Sequence, residues 1–227
     1  MSGILTAEKV RESALSPVER ISEMLFGLFM ALTFIGAVSA ATSGSEAVHS
    51  MFAAALGCNL AWGTVDAIMY LVRTATDRGR SISFMRAVRA AADEQTGRAL
   101  VERRMTERFV LRTTGELISA AEVESIRVRI LSLQAIPERA RLERTDLLAA
   151  LGIFLIVVVS TLPVVIPFLV IADVEMAKHA SRGIALAMLF LGGLALGRYA
   201  GYGSWKAGFT MAGLGTGLVG IINALGG

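Results

Sequence analysis

The chain is short of most of what a soluble enzyme works with. One cysteine, Cys58, stands among 227 residues, so no disulfide forms within the chain and no redox compartment is encoded. The two histidines, His49 and His179, have no cysteine or acidic cluster beside them and make a poor metal site. Proline occurs four times, and charged residues make up 18% against about 25% for a soluble domain. No P-loop, nucleophile elbow, HExxH or CxxC is present, which leaves ATP-driven work and catalysis without machinery, and the chain reads as a non-enzyme. The sparse charge is also segregated. Residues 24–45, 147–172 and 207–227 contain no Asp, Glu, Lys or Arg, and 183–197 is a shorter run of the same kind.

What fills those runs is apolar. Hydrophobic residues are 54% of the chain and mean hydropathy is +0.62. A bilayer crossing needs about 20 such residues. The pattern predicts an all-α polytopic membrane protein with five transmembrane helices near 18–41, 50–72, 147–172, 180–199 and 205–225. A cytoplasmic helical insert is expected between the second and third. The expected division is a cytoplasmic arm over 1–16, spans one and two over 17–72, the helical domain over 73–146, and spans three to five over 147–227.

Orientation follows from the basic residues. The first twenty residues hold Glu8, Lys9, Arg11, Glu12, Glu19 and Arg20, too charged for a cleavable signal, so the first span is expected to act as its own insertion signal. The 73–146 segment carries fifteen Arg, no Lys and eleven acids, whereas 42–49 has no Lys or Arg and one acid, Glu46. Lys and Arg favour the cytoplasmic side. The arm and the insert are therefore predicted to be cytoplasmic and the C-terminus outside, in the cell's inner (plasma) membrane. The pI near 9.4 is explained by this topology rather than by nucleic acid, which is excluded as a partner.

Local signals refine the picture. Ser16-Pro17-Val18-Glu19 is a capping box with proline at the first helical position. Residues 4–15 fit a short amphipathic helix on the membrane surface. In the insert, turn signals at 79–81 and 113–115 separate expected helices at 83–93, 95–112 and 115–134, and 137–146 is expected to feed directly into span three. Glu102, Glu107, Glu116, Glu122 and Glu124 are interleaved with Arg103, Arg104, Arg108, Arg127 and Arg129. One reading is a solvated domain laced with salt bridges. The other is a cytoplasmic cation-collecting domain in which carboxylates converge on metal.

The residues with chemical potential lie in the first two spans. Asp66 sits in an otherwise apolar segment, where a carboxylate costs several kcal/mol unless paired and marks a functional site by default. Asn59, Gly63 and Asp66 fall at i, i+4 and i+7, with Met69 next; Glu23, Gly27 and Met30 repeat that spacing in span one. Gly27 and Gly63 would let the two backbones approach. Such a face offers carboxylate, amide and thioether donors, a set that suits borderline divalent cations better than Mg²⁺ or Ca²⁺. The opposing reading is ordinary packing for the methionines, a dipole-stabilised interfacial carboxylate for Glu23 and an interhelical hydrogen bond for Asp66. Pro163 and Pro167 free carbonyls in span three and suggest a gate, or only a kink. Gly193/Gly197 and Gly213/Gly217 are GxxxG pairs, read as tight helix packing within the protomer. Five spans are few to enclose a path, which points to a symmetric dimer.

With those residues in view, the chain resembles the vacuolar iron transporter family, as a divergent member of bacterial type. Residues 26–33, 59–66 and 161–168 are similar to that family's first-, second- and third-span motifs, and the five spans, the insert and the glycine-rich last spans match its plan. The resemblance implies a homodimer that exports Fe²⁺, Mn²⁺ or a similar divalent ion (Zn²⁺ or Co²⁺) from the cytosol in exchange for protons, with no permanently bound cofactor. It puts the path between spans one and two at the dimer interface. Three of the family's site positions fall here on Met30, Asn59 and Ala67, so the carboxylates available along such a path are Asp66 and Glu23. The alternative is a non-transporting scaffold or sensor of the same fold, whose Arg-rich domain binds lipid or a protein partner.

Overall fold

The computed structural model describes residues 16–41, 46–108, 119–201 and 203–224. Among them it has eight helices and no strand. They are α1 Pro17–Ala41, α2 Glu46–Arg89, α3 Glu94–Arg108, α4 Ala120–Ser132, α5 Arg144–Val165, α6 Pro167–Val170, α7 Val174–Ala200 and α8 Ser204–Ala224. Five of these, α1, α2, α5, α7 and α8, are long and apolar enough to cross a membrane. The protein is thus all-α, with five candidate spans. The arm before Ser16, the turn signal at 113–115 and Glu116 lie outside the described residues.

The helix ends follow local chemistry. At α1, Glu19 N donates to Ser16 Oγ (3.2 Å) and Ser16 N donates to Glu19 Oε2 (2.7 Å), which is the reciprocal box the sequence announces. A second box that the sequence reading missed opens α4, where Glu122 caps back onto Ser119. It places that helix start at Ala120 rather than at 115. Asp173 caps α7 by accepting from Met176 N at 2.7 Å. Gly201, at φ 76°, ends α7 in the left-handed conformation that glycine tolerates best.

Two expectations fail at the ends of the insert. The turn signal at 79–81 does not interrupt α2, which runs on to Arg89 and absorbs most of the helix expected at 83–93. The polar side chains there turn back on the helix: Thr76 Oγ1 donates to Val72 O and Ser81 Oγ to Asp77 O. Residues 137–146 do not run helically into span three either. Leu133 to Glu143 form an irregular strap before α5 begins at Arg144. Arginines of α2 hold its carbonyls. Arg78 donates to Arg141 O (2.6 Å), Arg86 to Pro137 O and Glu138 O (3.0 and 2.9 Å), and Arg89 to Leu133 O as well as to Ile130 O in the last turn of α4.

The described residues form two compact units, one within Met1–Tyr70 and Arg144–Gly227, the other within Leu71–Glu143. In the first, α1 is the centre. Leu25, Leu28, Leu32 and Ile35 recur every three or four residues and pack with Val164, Phe168, Ala185 and Leu189. The α7–α8 hairpin closes on glycine. A Cβ on Gly193 would lie 2.7 Å from Ala207 O, and one on Gly197 would lie 2.7 Å from Ala207 Cβ. Gly208 and Gly215 play the same part on α8. Gly213 and Gly217 do not: nothing described lies within 4 Å of where their Cβ would be, so that GxxxG pair faces away from the hairpin.

The second unit has its own small core of Val88, Val101, Val123 and Ile130. A groove of about 1000 Å³ lies between its α2 face and the strap, lined by Thr74, Asp77, Arg78, Arg139 and Glu143 among others.

Candidate functional site

A glycine from each of the first two spans meets α5. Gly27 and Gly63 were expected to bring α1 and α2 onto each other; both face α5 instead. A Cβ on Gly27 would lie 3.3 Å from Val157 O and 3.2 Å from Ser160 Oγ, and a Cβ on Gly63 would lie 3.2 Å from Phe154 and 3.5 Å from Val157. Further along, Tyr70 packs on Ala149 and Ile153. Along this seam α2 therefore runs antiparallel to α5. The rings of Phe26 and Trp62 join α1 to α2, with centroids 5.4 Å apart.

Val157, shared by both glycines, acts as a depth marker. Glu23 lies four residues below Gly27 on α1, about 6 Å along the axis. Asp66 lies three residues from Gly63 toward Tyr70, about 4.5 Å in the same sense because α2 runs the other way. Both carboxylates are half-buried, and Asp66 Oδ2 is sealed from solvent. On the other side of Val157, Met30 and Asn59 take the mirrored positions at +3 and −4. Glu23, Asp66, Met30 and Asn59 thus bracket one point of one seam. Met69 is 46% exposed and lies off it.

Asn59 is fully buried; its Nδ2 donates to Ala55 O at 2.9 Å. Asn59 Oδ1 and Trp62 Nε1 are sealed as well, and neither has a hydrogen-bond partner among the described residues. Each such group costs about 1–3 kcal/mol. The sequence did not single out Trp62. It also passed over Asp146, which is 5% exposed in the first turn of α5, where the helix dipole favours a carboxylate. An acid directly ahead of an uncharged run was the signal for it.

The prolines form a kink with an internal partner. Pro163 lies inside α5, and α6 begins at Pro167 after the break at Ile166. Ser181 of α7, wholly buried, donates its hydroxyl to Val164 O at 2.6 Å. One carbonyl beside the break is thereby satisfied by protein.

The glutamates of the insert meet arginines. Glu124 accepts from Arg98 and Arg127, both at 2.7 Å. These hydrogen bonds, Arg127's first, hold its carboxyl down at about 2. The Ser119 backbone N–H and hydroxyl hold Glu122 below the usual glutamate range, as its capping role requires. Glu107 pairs with Arg103 at 3.7 Å, and Glu102 is exposed. Among the described residues no three His, Cys, Asp or Glu gather as a metal site.

No protein-family model matches the chain, and no curated protein matches it. What the fold itself defines is a class: a helical, multi-pass membrane protein with five candidate spans.

Proposed function

We propose that the protein carries divalent metal cations of the Fe²⁺/Mn²⁺ type across the inner (plasma) membrane, out of the cytosol and in exchange for protons. In this reading the insert and the N-terminus are cytoplasmic and the C-terminus is outside. The observation that carries it is the pairing in depth of Glu23 and Asp66 beside Val157, with Met30 and Asn59 on the far side. Two carboxylates at one depth inside a bundle of candidate spans are rare, and they are a place where a cation or a proton can be held.

One chain offers too few ligands for a divalent ion, which takes six or more oxygens when hard and about four donors when softer. A homodimer with the twofold axis beside this seam would double the set, and waters would complete it. Met30 would bias the choice toward transition metals. The Pro163–Pro167 kink would serve as the bending point, with Ser181 holding it in the conformation described here.

The purified protein in detergent tests this. Fe²⁺, Mn²⁺, Zn²⁺ and Co²⁺ should raise its melting temperature more than Mg²⁺ does. Binding at about a hundred times the dissociation constant adds about 2.7 kcal/mol. Asp66→Asn should lose that protection while remaining folded. Equal protection of wild type and Asp66→Asn would remove Asp66 from the path.

A second reading, a membrane scaffold or sensor, is favoured by one observation. In the insert Glu107 and Glu124 pair with arginine, Glu122 caps a helix, and among the described residues no three acids gather as a metal site. A domain of that kind suits docking to anionic lipid or to a protein partner. Absence of protection by any metal, with binding to anionic vesicles that weakens in salt, would favour it.

A further inference from the structure

Asn59 and Trp62 hold a hydrogen-bonding requirement that the cation reading does not meet. Ala55 O is an acceptor, so the Asn59 atom facing it at 2.9 Å is nitrogen, and Oδ1 is the end left without a partner among the described residues. Trp62 Nε1 can only donate. The two residues are i and i+3 on α2, neighbours on one face. An orphaned acceptor and an orphaned donor thus stand one turn apart on α2, with the indole ring against Phe26 of α1. A bare cation would answer only Oδ1, an anion only Nε1, and an apolar group neither. Water accepts from the indole and donates to the amide.

We infer that Asn59 and Trp62 form a water-binding site, which fills when α2 moves away from α1 and α5. Movement is required because neither atom presents surface in the described conformation. At this level Gly63 rests against Phe154 and Val157, and the Trp62 ring against Phe26. The described conformation is then the closed one, and its unmet polar groups favour opening. A consequence, which rests on the proposed transport, is that a cation passing Asn59 keeps at least one water ligand.

The test reads water rather than metal, so it separates from the transport reading. Trp62 and Trp205 are the only tryptophans, and Trp205→Phe leaves Trp62 as the single indole. In the full chain in nanodiscs, NMR follows exchange of that indole N–H into D₂O. Asn59→Leu removes the acceptor and fills its place, and it should slow exchange about tenfold or more. Equal rates in the two proteins overturn the site. If Asn59→Leu does not fold, Asn59→Cys in a Cys58→Ser background should react with a water-soluble thiosulfonate at least about tenfold faster than a cysteine at Leu28, a buried core position on α1. Reaction as slow as at Leu28 overturns it equally. Metal flux enters neither measurement.

Discussion

Glu23 and Asp66 owe their interest to neighbours they do not touch in sequence. Spacing alone put each on the same face as a glycine; α5 puts the two faces at one depth. In the second unit the same residue type has the opposite fate. Glu124 is held by Arg127 and Arg98 at about 2, well under its ordinary 4.5. A depressed carboxyl stabilises the fold fully above the unfolded value and loses that contribution as pH falls through the folded one. Glu124→Gln should therefore melt below wild type near neutral pH, and the gap should close between about pH 4.5 and about pH 2. A gap that persists unchanged to the acid end would mean that the arginines do not hold Glu124. Asp66 was legible because charge in an apolar run is conspicuous. Trp62 was not, since an indole N–H becomes significant only once its surroundings fail to accept from it.

At the scale of helices, the caps were the most legible part. Ser16 and Glu19 announce α1 by their spacing, and the structure closes both hydrogen bonds. Gly79 misled, because a glycine inside a long polar helix is tolerated when its neighbours remain bonded. The strap at 133–143 was illegible for a different reason. Its carbonyls are taken by Arg78, Arg86 and Arg89, from residues 44 to 63 positions away. Glycine pairs show the same limit: the motif is identical at Gly193/Gly197 and Gly213/Gly217, but only the first pair meets another helix. Gly193→Ala should thus cost about 1–3 kcal/mol, since its Cβ meets the backbone of Ala207 and Gly208. Gly213→Ala should be neutral or stabilising by up to about 1 kcal/mol, as open space and helix propensity allow. Thermal melts of the two variants in one detergent decide this; equal losses would contradict the packing described for α8.

At the scale of the molecule, five apolar helices define a membrane protein, and the number was readable from apolar runs, four of them free of charge and the second interrupted by Asp66. What moves through it was not readable in that way, because a path is made by helices meeting and a dimer would be made by chains meeting. In the proposed function, the Glu23–Asp66 seam passes cations. Proteoliposomes loaded with a metal-sensitive dye, under an imposed pH gradient, measure this directly. Wild-type protein should give Fe²⁺ or Mn²⁺ flux that collapses with the gradient, and Asp66→Asn should reduce it at least about a hundredfold, the loss of roughly 2.7 kcal/mol of stabilisation. Flux through Asp66→Asn equal to wild type, or no flux in wild type for any divalent ion, would contradict the claim.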